Sequence, residues 1–352
     1  MLIPITISLL ISTIFLNFGL AFNSSFWSPK IIEPAKAGAV LGAVEFQETS
    51  QPALNRSSSL NKAIVQVIEE AKSISIPQLF KLPQLNQPIS QPPKEEEKLE
   101  PIIIDFDFLA KNGVVLDDND NLFFAEHPDQ VWPIASITKL FTAYTFLDYN
   151  PGWESSYEIK PEDKREGGKI YLFNGDRVTV KDLFYFSLVG SDNTATAALV
   201  QTTGLSEAEF VEKMNDKIKE LGFKSTKLVD PVGLGDGNIS TAREVALFTK
   251  IALAKEEISQ ASLTKRYEFN TAQGRKKIIT STDELLSSYP AEGISILGGK
   301  TGYINSSGYN LVSQFKNYDG RAIVTVILGA SSDSDRFDLT KKLVDLFYKN
   351  QP

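Results

Sequence analysis

The sequence predicts an α+β fold, an antiparallel sheet flanked by helices with a helical lobe inserted. Three observations carry this. Runs rich in β-branched and aromatic residues, with turn residues between them, occur at Gly113–Ala125 and again at Gly308–Leu328. Between those two regions, apolar residues recur every three or four positions, the period of helices with one buried face. Strand-forming ends separated by helices pair most simply with each other, so the sheet assembles from both termini around the helical insert.

Leu2–Phe22 carries no charge and is dominated by Leu, Ile, Phe and Ala. About 20 such residues cross a bilayer core as a helix. A cleaved signal segment is the rival reading, although its apolar stretch is normally about 7–15 residues. No Lys or Arg precedes the run to set its orientation by charge. Either way, residues 1–22 direct the rest of the chain across a membrane. Residues 23–101 read as a linker. Gln87–Pro93 is rich in Pro and Gln, and Lys94–Lys98 is a charge run, a composition that buries too little apolar surface to fold. Within it, Leu60, Ala63, Ile64, Val67, Ile68 and Ala71 lie at helical spacing behind Ser58 and Ser59, predicting a short helix over 60–72.

The globular domain is expected over 102–352, ample for one core. Gly113–Leu116 and Leu122–Ala125 form a hairpin across Asp117–Asp120. Leu140, Ala143, Tyr144 and Leu147 place one buried face on a helix over 136–147. Val180–Leu188, Asn193–Gln201, Glu207–Leu221 and Ala242–Ala254 have the same period. Gly308–Phe315 and Arg321–Leu328 then read as strands joined through Lys316–Gly320, and a helix over 335–348 closes the chain.

The net charge of −8 argues against a nucleic-acid partner, which would want a basic face. One His and no Cys make a Ser-His-Asp triad hard to build, exclude a cysteine nucleophile and leave no ligand cluster for a metal. His127 reads as a solvated loop residue and Trp132 as packing. What the chain does carry is three motifs in order: Ser136-Ile137-Thr138-Lys139, Ser191-Asp192-Asn193 and Lys300-Thr301-Gly302. Residues three apart on a helix share a face, so Lys139 lies beside Ser136. A serine hydroxyl needs an adjacent base to become a nucleophile. Lysine serves only when neutral, which burial or a cationic neighbour such as Lys300 favours. Ser191 suits proton relay and Asn193 the positioning of a substrate amide. A strand edge ending in Lys300-Thr301-Gly302 can pair with an extended peptide, glycine allowing close approach, with Lys300 and Thr301 suited to a carboxylate.

In this order the motifs resemble those of the serine D-Ala-D-Ala carboxypeptidases, the low-molecular-mass members of the penicillin-binding protein/β-lactamase superfamily. The resemblance covers about residues 105–350. It extends through Pro133–Ala143, Glu166–Gly168, Gly175-Asp176, Val180–Leu183, Leu221–Thr226, Asp230–Leu234, Ser240–Arg243, Tyr303 and Gly308–Val312. It implies a β-lactamase/transpeptidase-like fold, here without a C-terminal β-domain. It also implies Ser136 as the acylated nucleophile, Lys139 as its general base, and Ser191 and Asn193 as proton relay and substrate support. Lys300, Thr301, Gly302, Tyr303 and Arg336 would bind substrate, and the Ser136 and Tyr303 amides would form the oxyanion hole. No cofactor or metal is implied. The implied substrate is the peptidoglycan stem pentapeptide, with β-lactams as covalent inhibitors, at the extracytoplasmic face of the bacterial membrane.

The same residues serve a D,D-endopeptidase, which cuts cross-links, and a wall-binding or sensor module without turnover is the reading outside enzymes. A class A β-lactamase fits less well, because Lys227–Pro231 lacks the glutamate of its deacylating loop. Two positions depart from the family pattern: Ile304 stands where Thr is frequent, and Gly298-Gly299 precedes Lys300 where many relatives have Asp-Gly.

Overall fold

The computed structural model describes residues 106–289 and 293–349. The expectations for 1–22 and 23–101, the helix over 60–72 included, lie outside the described residues. In chain order, β1 (Asn112–Asp117) and β2 (Leu122–Glu126) form a hairpin. β3 (Trp132–Pro133), a 3-10 turn at Ala135–Ile137 and α1 (Thr138–Phe146) follow. Next, β4 (Ser156–Glu158) pairs with β5 (Arg177–Thr179), leading into α2 (Val180–Val189), α3 (Asn193–Thr202) and α4 (Glu207–Glu220). β6 (Ile239–Ser240) pairs with β3, and α5 (Ala242–Leu253) and α6 (Glu256–Ser262) come after it. The hairpin of β7 (Arg266–Asn270) and β8 (Lys276–Thr280) precedes the single turn α7 (Leu285–Ser288). β9 (Ile294–Ile304), β10 (Gly308–Asn317), β11 (Ala322–Ala330) and α8 (Asp333–Lys349) complete the domain.

The main sheet is antiparallel, in the order β2-β1-β11-β10-β9. As expected, the two ends of the domain meet: Asn112 lies opposite Leu328 and Asp117 opposite Ile323. The reason is legible in β11, whose nine residues are all buried. A strand that apolar must sit in the middle of a sheet covered on both faces. Val324, Val326 and Leu328 enter one core with Val114, Leu116 and Val312, beneath the helical lobe. Ile323 and Ile327 enter the other with Val115, Leu311 and Phe315, against Phe337, Leu343, Val344 and Phe347 of α8. A one-residue slip of register would expose both sets.

α1 is the axis of the lobe, packed against α2, α3, α4 and α5. The sequence predicts one buried face, yet Thr138 through Ala143 are all buried, because helices cover it on every side. α2, α3, α4 and α5 begin at side-chain caps, whereas α1 has none. Thr179 and Asp182 form a reciprocal box at α2, and Asp192 accepts the Ala195 amide at 2.6 Å at the start of α3; each such cap stabilises by about 1 kcal/mol. β9 forms the edge of the sheet that faces this lobe, and the three sequence motifs meet along it.

Candidate active site

Ser136 stands in the 3-10 turn ahead of α1, not inside the α-helix the sequence predicts. The cause is tertiary. Ala135 is held at φ 49°, a left-handed conformation that costs a non-glycine residue of order 1 kcal/mol. Two glycines hold the turn from either side. A Cβ on Gly233 would lie 2.1 Å from the Ala135 carbonyl oxygen, and one on Gly302 would lie 2.9 Å from the Ile134 oxygen and 3.1 Å from the Ser136 nitrogen. Only bare backbone lets the loop through Gly233 and the strand β9 approach this closely.

Lys139 is fully buried. Its Nζ lies 2.9 Å from Ser136 Oγ, 2.9 Å from Asn193 Oδ1 and 2.8 Å from the Val232 carbonyl oxygen. Burial pulls its pKa down to about 7, against the raising influence of Asp192 and Asp230. The partners then decide the geometry of the neutral amine. Asn193 Oδ1 and the Val232 carbonyl can only accept, so they take the two N–H bonds. The remaining lone pair points at the one neighbour with a proton to give, the Ser136 hydroxyl.

Asn193 is fixed at both ends, since its Nδ2 donates to the Gly167 carbonyl at 2.9 Å. Ser191 sits at φ 57° between α2 and α3, which turns its side chain into the cleft wall. Gly190 before it lets the β7–β8 hairpin close in: a Cβ there would meet Ile279 Cδ1 at 1.9 Å. Asp192 is buried, and burial raises its carboxyl to about 6 despite the Ala195 amide and Lys139.

At the third motif, Lys300 is buried and donates to the Thr301 carbonyl at 2.9 Å. Burial, then the charges of Lys139 and Arg336, push its ammonium well below the ordinary lysine value, with Asp283 acting against them. Thr301 Oγ1 lies 2.5 Å from Thr282 Oγ1. Tyr303 is half exposed and stacks on Tyr309 at 4.4 Å. Arg336 of α8 lines the cleft, but its guanidinium is largely committed. It donates to the carbonyls of Gly302 at 3.3 Å and Asn310 at 3.2 Å and pairs with Asp333.

These residues surround an open cleft of about 800 Å³, whose wall includes Ser136, Ser191, Asn193, Thr301, Tyr303 and Arg336. Neither Lys139 nor Lys300 is part of its wall; Lys139 meets it through Ser136, and Lys300 is bonded to the carbonyl of Thr301, which is. Ile304 also faces the cleft. His127 is exposed, and Trp132 lies outside the wall, its indole donating to the Ser307 carbonyl at 2.8 Å. Among the described residues no cluster of three or more His, Cys, Asp or Glu side chains fits a metal ion.

Sequence reasoning matched Asp230–Leu234 to the family but assigned it no role. Its Val232 carbonyl holds Lys139, and its shape comes from Asp230 Oδ1, which accepts the Val232 amide at 2.7 Å, and from Asn238. Asn238 is fully buried, accepts the Val229 amide at 2.7 Å and donates to Thr138 Oγ1 at 3.0 Å. A polar residue so placed pins the loop to α1. Buried Asp176, also matched to the family without a role, binds Arg275 and Lys277 at 2.6 Å each and ties the β7–β8 hairpin to the cleft-wall loop.

The D-alanyl-D-alanine carboxypeptidase family matches residues 100–332. A D-alanyl-D-alanine endopeptidase of Haemophilus influenzae is 35% identical over 68% of this chain and 82% of its own length. A D-alanyl-D-alanine carboxypeptidase of Bacillus subtilis is 30% identical over 68% of this chain and 62% of its own. Among solved structures, a penicillin-binding protein of Listeria monocytogenes with cefotaxime bound superimposes with a TM-score of 0.61 at 25% identity, covering 70% of this chain and all of that one. The chain belongs to the D-alanyl-D-alanine carboxypeptidase family of serine peptidases.

Proposed function

We propose that the protein removes the terminal D-Ala from peptidoglycan stem pentapeptides through an acyl-enzyme on Ser136. The observation that carries this is the buried Lys139 amine, whose two N–H bonds are taken and whose lone pair faces the serine hydroxyl. The substrate lies antiparallel along the free edge of β9, placing its terminal carboxylate toward Thr301 and the charges of Lys300 and Arg336. Ser136 Oγ attacks the penultimate D-Ala carbonyl carbon, and its proton passes to Lys139 Nζ. The oxyanion is received by the amides of Ser136 and Tyr303; one such donor contributes about 2.7–4 kcal/mol. As the C–N bond breaks, Ser191 relays the proton to the leaving amine and D-Ala departs. Water, deprotonated by Lys139, then cleaves the ester and Ser136 regains its proton. A β-lactam follows the same path, but the amine freed by ring opening stays tethered to the acyl group and in the way of the attacking water, so the ester persists.

The endopeptidase relative, the more identical of the two, favours cross-link cleavage as the second reading. We place the activity outside the cytoplasmic membrane, tethered or exported through residues 1–22, on the strength of that apolar run. The test is incubation with a pentapeptide ending in D-Ala-D-Ala and, separately, a cross-linked dimer, followed by mass spectrometry. Loss of one alanine, abolished in Ser136→Ala, supports the carboxypeptidase; dimer cleavage alone supports the endopeptidase. A Ser136→Ala protein that still forms a penicillin adduct overturns the site assignment.

A further inference from the structure

Thr282 belongs to none of the three motifs, yet it joins the helix that leads into the second to the strand that carries the third. It lies between β8 and α7, in a segment held by its backbone at three successive residues. The Ser281 amide donates to the Lys265 carbonyl at 2.9 Å, and the Thr282 amide to the Val189 carbonyl at 3.1 Å. The Asp283 amide then donates to Ser281 Oγ at 3.1 Å. Val189 is the last residue of α2, and Gly190 and Ser191 follow it into the cleft wall. From this anchored position the Thr282 hydroxyl meets that of Thr301 at 2.5 Å, and both residues line the cleft. Among the described residues, neither hydroxyl has another hydrogen-bond partner.

Each hydroxyl has one proton to give and lone pairs with which to receive. Within the pair, one proton lies between the oxygens and one is left over. A carboxylate can only accept, so the leftover proton is what the pair offers it. We infer that Thr282 is a positioning residue for the carboxylate end of the cleft: its hydroxyl donates to Thr301 Oγ1, which leaves the Thr301 proton for the terminal carboxylate of the substrate. This rests on the reading of the site proposed above, in which the substrate lies along β9 with its carboxylate against Thr301. An unpaired threonine hydroxyl rotates to suit any acceptor. One that accepts from Thr282 keeps its own proton turned away from Thr282, and accepting strengthens it as a donor. The bonds that anchor Thr282 are made by backbone and by Ser281, so replacing its side chain leaves them in place.

The experiment is a double-mutant cycle on the full-length chain with a peptide ending in D-Ala-D-Ala. Thr282→Val keeps the branched shape of the side chain and removes the hydroxyl. The expected result is a KM raised about three- to tenfold with kcat little changed, the loss of one neutral hydrogen bond made alike in the ground and transition states. Thr282→Ser should restore the wild-type KM. Thr282→Val combined with Thr301→Val should be no worse than Thr301→Val alone, because a residue that acts through Thr301 then has nothing left to position. Thr282→Ala serves if the valine variant does not fold. Losses that multiply in the double variant overturn the inference, since Thr282 then acts independently of Thr301. An unchanged KM in the valine variant overturns it too, as does a serine variant that fails to restore KM. None of these outcomes touches the proposed function. Penicillin also carries a carboxylate, so its acylation rate should fall about three- to tenfold in Thr282→Val. A wild-type chain that penicillin acylates but that turns over no such peptide defeats the proposed function alone, and the penicillin rates of the same variants then decide this inference.

Discussion

The chemistry turns on which of two buried lysines holds a proton. Lys139 must be neutral to accept the Ser136 proton, and its pKa of about 7 makes it half so near neutrality. The rate of acylation by a β-lactam should therefore rise with pH through about 7, as Lys139 deprotonates; a stopped-flow pH profile checks it. Lys139→Met should lower acylation by about 10²–10⁴-fold while leaving the fold intact, because a thioether chain fills the same volume without a buried amine. Legibility at this scale was uneven. The motif residues could be read directly, because a hydroxyl and an amine three apart already imply the pair. The Val232 carbonyl could not, since a backbone acceptor has no side-chain signature.

At the scale of elements, the long amphipathic helices and the strands of the closing meander were evident from their periods. β7 was not: its burial alternates only between exposed and intermediate, so no apolar run marks it. β9 was legible only as a strand edge ending in Lys300-Thr301-Gly302; its reach from Ile294 to Ile304, through Gly298, Gly299 and Gly302, was not. Those glycines exist for close approach. Gly302→Ala would place a methyl group 2.9 Å from the Ile134 oxygen and 3.1 Å from the Ser136 nitrogen, backbone atoms that cannot swing aside. β9 must then withdraw, and a displacement of that kind costs about 10²-fold in rate. The expected outcome is impaired acylation in a variant that still folds, measured by penicillin labelling beside circular dichroism. Gly233→Ala should be worse. It meets the Ala135 oxygen at 2.1 Å from a left-handed φ of 85°, and it should lower stability by about 2 kcal/mol or more.

For the molecule as a whole, the buried charges give stability an unusual dependence on pH. Burial raises Asp192 and Asp283 to about 6 each. The folded state therefore binds protons between about pH 4 and 6 that the unfolded state has released, and stability falls as pH rises across that window. The displacement corresponds to about 3 kcal/mol per group. The lysines act in the opposite sense. Lys139 is lowered to about 7, so above about pH 7 the unfolded state holds a proton that the folded state has lost, and stability rises with pH until the unfolded lysine titrates; Lys300, also lowered, acts in the same sense. The two trends meet near pH 6–7, where the domain should be least stable within the range from about 4.5 to 9. Thermal unfolding of the wild-type chain should show that minimum, with flanks about 5 °C or more higher. Asp283→Asn should flatten the acid flank and Lys139→Met the alkaline one. A melting temperature that peaks near neutrality would show instead that the buried carboxyls and lysines neutralise one another within the site and do not titrate separately.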